Sequence, residues 1–244
     1  MTLSKKLPII SSPNKLLKYI LNEDWSAVKS RCKKYPREAA VWTKRVGFFK
    51  GEHWSCVLPI HQACALCAPK DVIDSLIIAY PKGVQAIESE FKRLPLHIAC
   101  LNGCLVDVIE LLLSYNPLGA QIKDSIGRVP IHYACCNGSD PDVLDCLLSV
   151  NPATAKIADK AGWLPIHVAC IKGVSMESIR KLLDANPSSV ASETAKGSTP
   201  LRLISKTNCK NRGEIASLLA NLSMERTYAN CPAGERRRVV SFAA

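Results

Sequence analysis

Four histidines, His61, His97, His132 and His167, each stand three residues before a cysteine: Cys64, Cys100, Cys135 and Cys170. Imidazole and thiol ligate zinc, and imidazole moves protons, so this pattern is the first place to look for chemistry. The spacing argues against a shared site. Each pair lies 35 or 36 residues from the next, which gives every histidine its own structural unit and arranges the four as a ladder. A structural role follows, because neutral imidazole donates and accepts at once and can join loop backbone, while a thiol serves as a small buried hydrophobe.

One stretch is denser, with His53, Cys56, His61, Cys64 and Cys67 inside fifteen residues. Four such ligands would satisfy a structural zinc ion. His61 and Cys64 are already explained by the repeated motif, which leaves His53, Cys56 and Cys67 as the irregular extras, and spacing alone does not make a tetrahedron. The sequence is therefore read without a metal and without a cofactor. No glycine-rich phosphate loop, nucleophile elbow or isolated carboxylate pair is found. Asp71, Asp107 and Asp142 recur just before an apolar helical face, where first-turn acids suit the helix dipole. No catalytic residue is assigned, and the chain is read as a non-enzyme.

The elements that carry the histidines are legible from proline and glycine. Each histidine lies in one heptapeptide: Leu58-Pro-Ile-His-Gln-Ala-Cys64, Leu94-Pro-Leu-His-Ile-Ala-Cys100, Val129-Pro-Ile-His-Tyr-Ala-Cys135 and Leu164-Pro-Ile-His-Val-Ala-Cys170, with a degenerate fifth copy at Thr199-Pro-Leu-Arg202. Proline suits the first helical position. Gly103, Gly138 and Gly173 follow six residues after their histidines, where a helix of about two turns needs a left-handed end; the first copy has Cys67 instead. A second helix follows, with apolar residues at Val72, Ile73, Leu76, Ile77 and at the matching positions of the later copies. Pro81, Pro117, Pro152 and Pro187 close these second helices. A period of this length marks a stack of units that bury their apolar faces only on one another.

Helix, glycine turn, helix and projecting loop, with Pro-Leu/Ile-His opening the first helix, resembles the ankyrin repeat. The resemblance implies an all-α, ankyrin-type helix-turn-helix repeat solenoid. Residues 51–222 are read as the repeats, residues 1–50 as a basic N-terminal capping region with an irregular repeat, and residues 223–244 as a flexible basic C-terminal tail. The family pattern has Thr before the proline, where its hydroxyl caps the helix. Leu58, Leu94, Val129 and Leu164 replace it here and only Thr199 keeps it, so apolar contact between repeats is expected to offset a cap worth about 1 kcal/mol.

The resemblance also implies a binding surface on the loop tips and on the exposed side of the first helices. Counting from each proline selects Val57, Gln62 and Leu66, then Glu90, Phe91, Arg93, Ile98 and Asn102. The later copies supply Ser125, Ile126, Arg128, Tyr133 and Asn137, and Lys160, Ala161, Trp163, Val168 and Lys172. Aromatic and arginine side chains carry much of the energy at interfaces, which singles out Phe91, Arg93, Arg128, Tyr133 and Trp163 as anchors. The competing expectation for Phe91 and Trp163 is packing beneath their own loops. The partner is read as another protein, through a scaffold or adaptor role.

Charge gives a second reading less support. The net charge of +11 is concentrated at the ends: residues 1–50 carry 12 Lys/Arg against 3 Asp/Glu, and residues 51–196 carry 12 against 15. A nucleic-acid binder more often runs its cations along one continuous face, so nucleic acid and anionic membrane rank below a protein partner. The final residues contain Arg238-Val-Val-Ser241-Phe242, similar to a peptide by which type 1 protein phosphatase is docked. The absence of an apolar leader near Met1, with twelve cysteines, places the chain in the cytoplasm or nucleus with reduced thiols.

Overall fold

The computed structural model describes residues 14–46, 48, 54–138 and 140–230. At the N-terminal end, Asn14 accepts the Leu17 N–H and opens α1 (Lys15–Leu21), and Asp24 accepts the Ala27 N–H and opens α2 (Trp25–Lys34). A 3-10 turn, Pro36–Ala40, closes this pair. Glu38 knots the three together, accepting the Leu16 N–H at 3.0 Å and the Arg31 Nε–H at 3.1 Å. An antiparallel hairpin follows: β1 (Thr43–Val46) pairs with β2 (Trp54–Val57), Thr43 opposite Val57. The boundary expected between residues 50 and 51 falls inside this hairpin, because its second strand pairs back onto its first.

The repeated heptapeptides open α3 (Pro59–Ala65), with α4 (Lys70–Ala79) as its second helix, then α5 (Pro95–Asn102) with α6 (Val106–Tyr115). The next pairs are α7 (Pro130–Cys136) with α8 (Pro141–Val150), and α9 (Pro165–Lys172) with α10 (Met176–Ala185). A short α11 (Pro200–Ile204) and the long α12 (Arg212–Asn230) complete the array. α12 runs through residue 222, so the helix continues past the expected start of the tail. First helices stack on first helices from α1 through α11 by way of α3, α5, α7 and α9, while α2, α4, α6, α8 and α10 form the outer layer. The fold is an all-α helix-turn-helix repeat solenoid. The core is one continuous cluster from Leu16 to Leu219, with the second helices contributing the apolar quartets read from the sequence.

The histidines tie each repeat to the loop beyond it, through a different N–H from the one a threonine caps. His97 Nδ1 accepts the Leu94 N–H at 3.1 Å, and its Nε2–H donates to the Ile122 carbonyl at 2.9 Å. His61 makes the same pair of contacts to the Leu58 N–H and the Ala86 carbonyl, and His167 to the Leu164 N–H and the Ser192 carbonyl. His132 accepts the Val129 N–H and donates to the Trp163 carbonyl at 3.0 Å. Each imidazole thus satisfies the N–H of the residue before its proline and fastens the loop beyond it, while the N–H of His61, His132 and His167, the one a threonine hydroxyl would take, lies 3.0 Å from the carbonyl oxygen of Leu58, Val129 and Leu164. Leu94 is buried, with Cδ1 only 3.4 Å from where a Cβ would stand on Gly119. In the fifth copy, where Arg202 replaces histidine, the Thr199 hydroxyl accepts the Arg202 N–H at 3.3 Å.

Two outcomes test this architecture. Deleting residues 130–164 joins Val129 to Pro165 and puts His167 in the place of His132. The shortened chain is expected to unfold cooperatively with a lower urea midpoint and a smaller m-value; loss of its helical circular dichroism would contradict the repeat-by-repeat fold. Burial also lowers the pKa of His61 and of His97 from 6.5 to about 4, and lowers those of His132 and His167. An unfolded chain binds protons first on acidification, so the histidines' contribution is complete above about pH 6.5 and drains away toward pH 4. Urea midpoints should fall across that window, and a flat profile there would exclude the neutral ladder.

Candidate partner-binding surface

The loops between repeats project as fingers, and the shape of the first three is set by one acid each. The Asp124 carboxylate accepts the Ile126 N–H at 3.0 Å and the Arg128 N–H at 2.9 Å, and Asp159 accepts those of Ala161 and Trp163, both at 2.9 Å. Glu88, fully buried, accepts the N–H groups of Glu90, Phe91 and Arg93 and the Ser55 hydroxyl. The backbone closes behind them, Asp124 N–H to Arg128 O and Asp159 N–H to Trp163 O, four residues apart. In the first finger the Glu88 N–H reaches Arg93, five residues on. That additional residue is the one that lengthens the first repeat, and it puts Lys92 (φ 60°) in the left-handed role that Gly127 (φ 84°) plays in the next finger.

Neighbouring fingers are tied tip to tip. The Ser125 N–H donates to Phe91 O at 2.8 Å, Lys160 to Ile126 O at 3.0 Å and Ala195 to Ala161 O at 3.0 Å. Side chains repeat the linkage: Arg128 Nε donates to Asp159 at 3.0 Å, and Arg93 Nε lies 3.5 Å from Asp124. Arg93 Nη2 also donates to the Tyr133 hydroxyl at 2.7 Å, and that hydroxyl donates to Asp124. The Arg93 guanidinium is 4.6 Å from the ring centres of both Phe91 and Tyr133. Burial raises the Asp159 pKa, but hydrogen bonds from the Trp163 N–H and the Arg128 guanidinium hold it below the usual aspartate value. Burial and the bond to Asp124 push the Tyr133 phenol well above its usual range.

This geometry divides the residues selected from the sequence. Glu90, Ile126, Lys160 and Lys172 are exposed, and Phe91, Ser125, Arg128 and Trp163 are half-buried. Trp163 packs against the core with its ring edge toward His167, 6.2 Å between ring centres. Four residues expected at the surface are buried instead: Arg93 at 8% exposure, Ile98 at 1%, Tyr133 at 2% and Val168 at 3%. Gln62 and Val57 join them. For Ile98, Tyr133 and Val168 the reason is the stacking of first helices, which covers the fourth residue of each two-turn helix from both neighbours; Arg93, in its finger, is covered by Phe91, Asp124 and Tyr133. Arg93 and Tyr133 are corrected from interface anchors to struts between repeats.

Of the first helices, α3, α5, α7 and α9 are buried through their first six residues and reach the surface at their C-terminal ends. There Leu66, Leu101 and Asn102, together with Phe48, Gln62 and Arg93, border a cavity of about 400 Å³ in the angle between helices and fingers. The Gln62 side-chain carbonyl is buried without a hydrogen-bond donor among the described residues. The shaping acids Glu88, Asp124 and Asp159 were not selected from the sequence, although Asp124 and Asp159 each precede a glycine by three residues, the signature of a side-chain-closed turn. Among the described residues no three His, Cys, Asp or Glu side chains gather as a metal site. His53 of the dense cluster and the Arg238–Phe242 peptide lie outside the described residues.

Residues 60–154 match the family model for ankyrin repeats, in three copies. This stretch of the chain is built of ankyrin repeats, and such repeats are in general modules for protein–protein interaction. No curated protein matches its sequence. No described helix is long and apolar enough to cross a membrane.

The finger ladder is testable by stability. Asp124→Ala removes the carboxylate that accepts two loop N–H groups and the Tyr133 hydroxyl and faces the Arg93 guanidinium, and should cost roughly 3–5 kcal/mol in urea unfolding. Adding Arg93→Met to it should recover part of that loss. A cost below about 1 kcal/mol would show that the linkage carries no weight.

Proposed function

We propose that this protein is a non-catalytic adaptor that holds a protein partner along its fingers and in the cavity at their base. The cavity beside Gln62 carries the reading. A buried carbonyl oxygen with no donor among the described residues suits a backbone N–H of an extended segment, since leaving such an acceptor unpaired is costly. The apolar wall of Phe48, Leu66 and Leu101 suits a side chain from the same segment. Exposed Ile126, Lys160 and Lys172 extend the surface along the later repeats.

Struts such as Arg93 and Tyr133 are poor probes, because truncating them disturbs the repeats themselves. The informative variants are Gln62→Leu, which keeps volume and removes the acceptor, and the surface triple Ile126→Asp, Lys160→Glu, Lys172→Glu. Captures from native extract with wild type and variants of unchanged circular dichroism should show one protein depleted in both variants, with affinity lowered about fivefold or more by Gln62→Leu. Capture of the same species by all three, falling steeply with salt, would replace this reading with electrostatic binding of an anionic polymer or membrane by the basic ends.

A further inference from the structure

The turn after α3 breaks the pattern of the later repeats. Where Gly103, Gly138 and Gly173 take left-handed backbone, the first repeat has Cys67, at φ 48°. That conformation disfavours any residue with a Cβ, and here it directs a thiol at the next repeat. Cys67 Sγ lies 2.7 Å from Cys104 Sγ and 3.4 Å from the Asn102 carbonyl oxygen. Cys67 is exposed, whereas Cys104 is buried at 4% exposure, with its sulfur 3.2 Å from the Cys64 carbonyl oxygen.

We propose that Cys67 and Cys104 form a reversible redox pair, with Cys67 as the attacking thiol and Cys104 as the resolving one. The inference does not rest on the partner-binding reading. A disulfide bond is about 2.05 Å long, so two sulfurs already in contact need move by less than about 1 Å to join. A hydrogen bond from Cys104 lowers the Cys67 pKa, while the same contact and burial raise that of Cys104, which favours thiolate on the accessible partner. Cys64, Cys100, Cys135 and Cys170 are buried, and desolvation drives their pKa values up; Cys136, Cys146 and Cys209 are half-buried, and among the described residues none of the three shares a hydrogen bond with a second thiol as Cys67 does.

The oxidant required is a small-molecule disulfide such as glutathione disulfide. The Cys67 thiolate attacks one of its sulfurs, forming a mixed disulfide and expelling one glutathione thiolate. Cys104 loses its proton, attacks the Cys67 sulfur and expels the second glutathione, which takes up that proton. Two electrons pass from the protein dithiol to the oxidant, and the bridge clasps the α3–α4 turn to the α5–α6 turn, next to Leu66 and Asn102 of the cavity wall.

The test incubates the native full chain with glutathione disulfide, alkylates free thiols and maps every cysteine by mass spectrometry. Wild type should carry a Cys67–Cys104 bridge and no glutathione on either residue. Cys104→Ser should retain one glutathionyl group on Cys67, with Cys104→Ala as the alternative if the serine variant loses its circular dichroism. Cys67→Ser should leave Cys104 unmodified. Wild type holding glutathione on Cys67 beside a reduced Cys104, or leaving Cys67 unmodified, would overturn the proposal.

Discussion

A buried, uncharged imidazole joining two pieces of backbone is the interaction on which the array depends. Each histidine closes the open N-terminus of its own first helix and holds the carbonyl of the loop that leads to the next one. One side chain therefore settles a local problem, the orphan N–H of a helix start, and a global one, the distance between successive repeats. Because the ring must accept through Nδ1, it is useful only when neutral, and burial enforces that state. The leucine or valine before each proline caps nothing with its side chain and is buried instead, Leu94 lying beside Gly119.

The array consequently has two edges of different character. Along the helices the repeats meet through aliphatic side chains and thiols, which pack without direction. Along the fingers they meet through paired acids, guanidinium groups and single backbone hydrogen bonds, which are directional. Glu88 begins that edge by taking the Ser55 hydroxyl from the N-terminal hairpin, so the strand β2 is continuous with the fingers in function although it differs from them in form. Cys56 adds a backbone link to Ser89 at 2.8 Å.

Most of the fold was legible because repetition averages out accident. Proline, histidine and glycine recurring in register place both helices of each unit, and the apolar quartets of the second helices name their buried face. The surface was less legible, and the errors share a cause. Ile98, Tyr133 and Val168 are the fourth residues of their helices, and whether that position is free depends on how closely the neighbouring helices approach, which no single repeat reveals. Arg93 misled for a different reason: an arginine beside an aromatic reads as an interface anchor, while here its partner is an aspartate thirty-one residues later. The hairpin Thr43–Val57 was missed because it occurs once, so no second copy reinforced its pattern.

The arginine-to-aspartate links also have a sense of travel. Arg93 reaches forward to Asp124 and Arg128 forward to Asp159, but the next finger offers Trp163 and Thr194, a pair with no formal charge between them. Thr194 uses its hydroxyl to accept the Ser198 N–H within its own loop. The relay therefore terminates inside the chain, and the long α12 lies over the last helices instead of presenting another open repeat. The directional series is thus limited to two links, and the last two fingers are joined by the backbone bond from the Ala195 N–H to the Ala161 carbonyl.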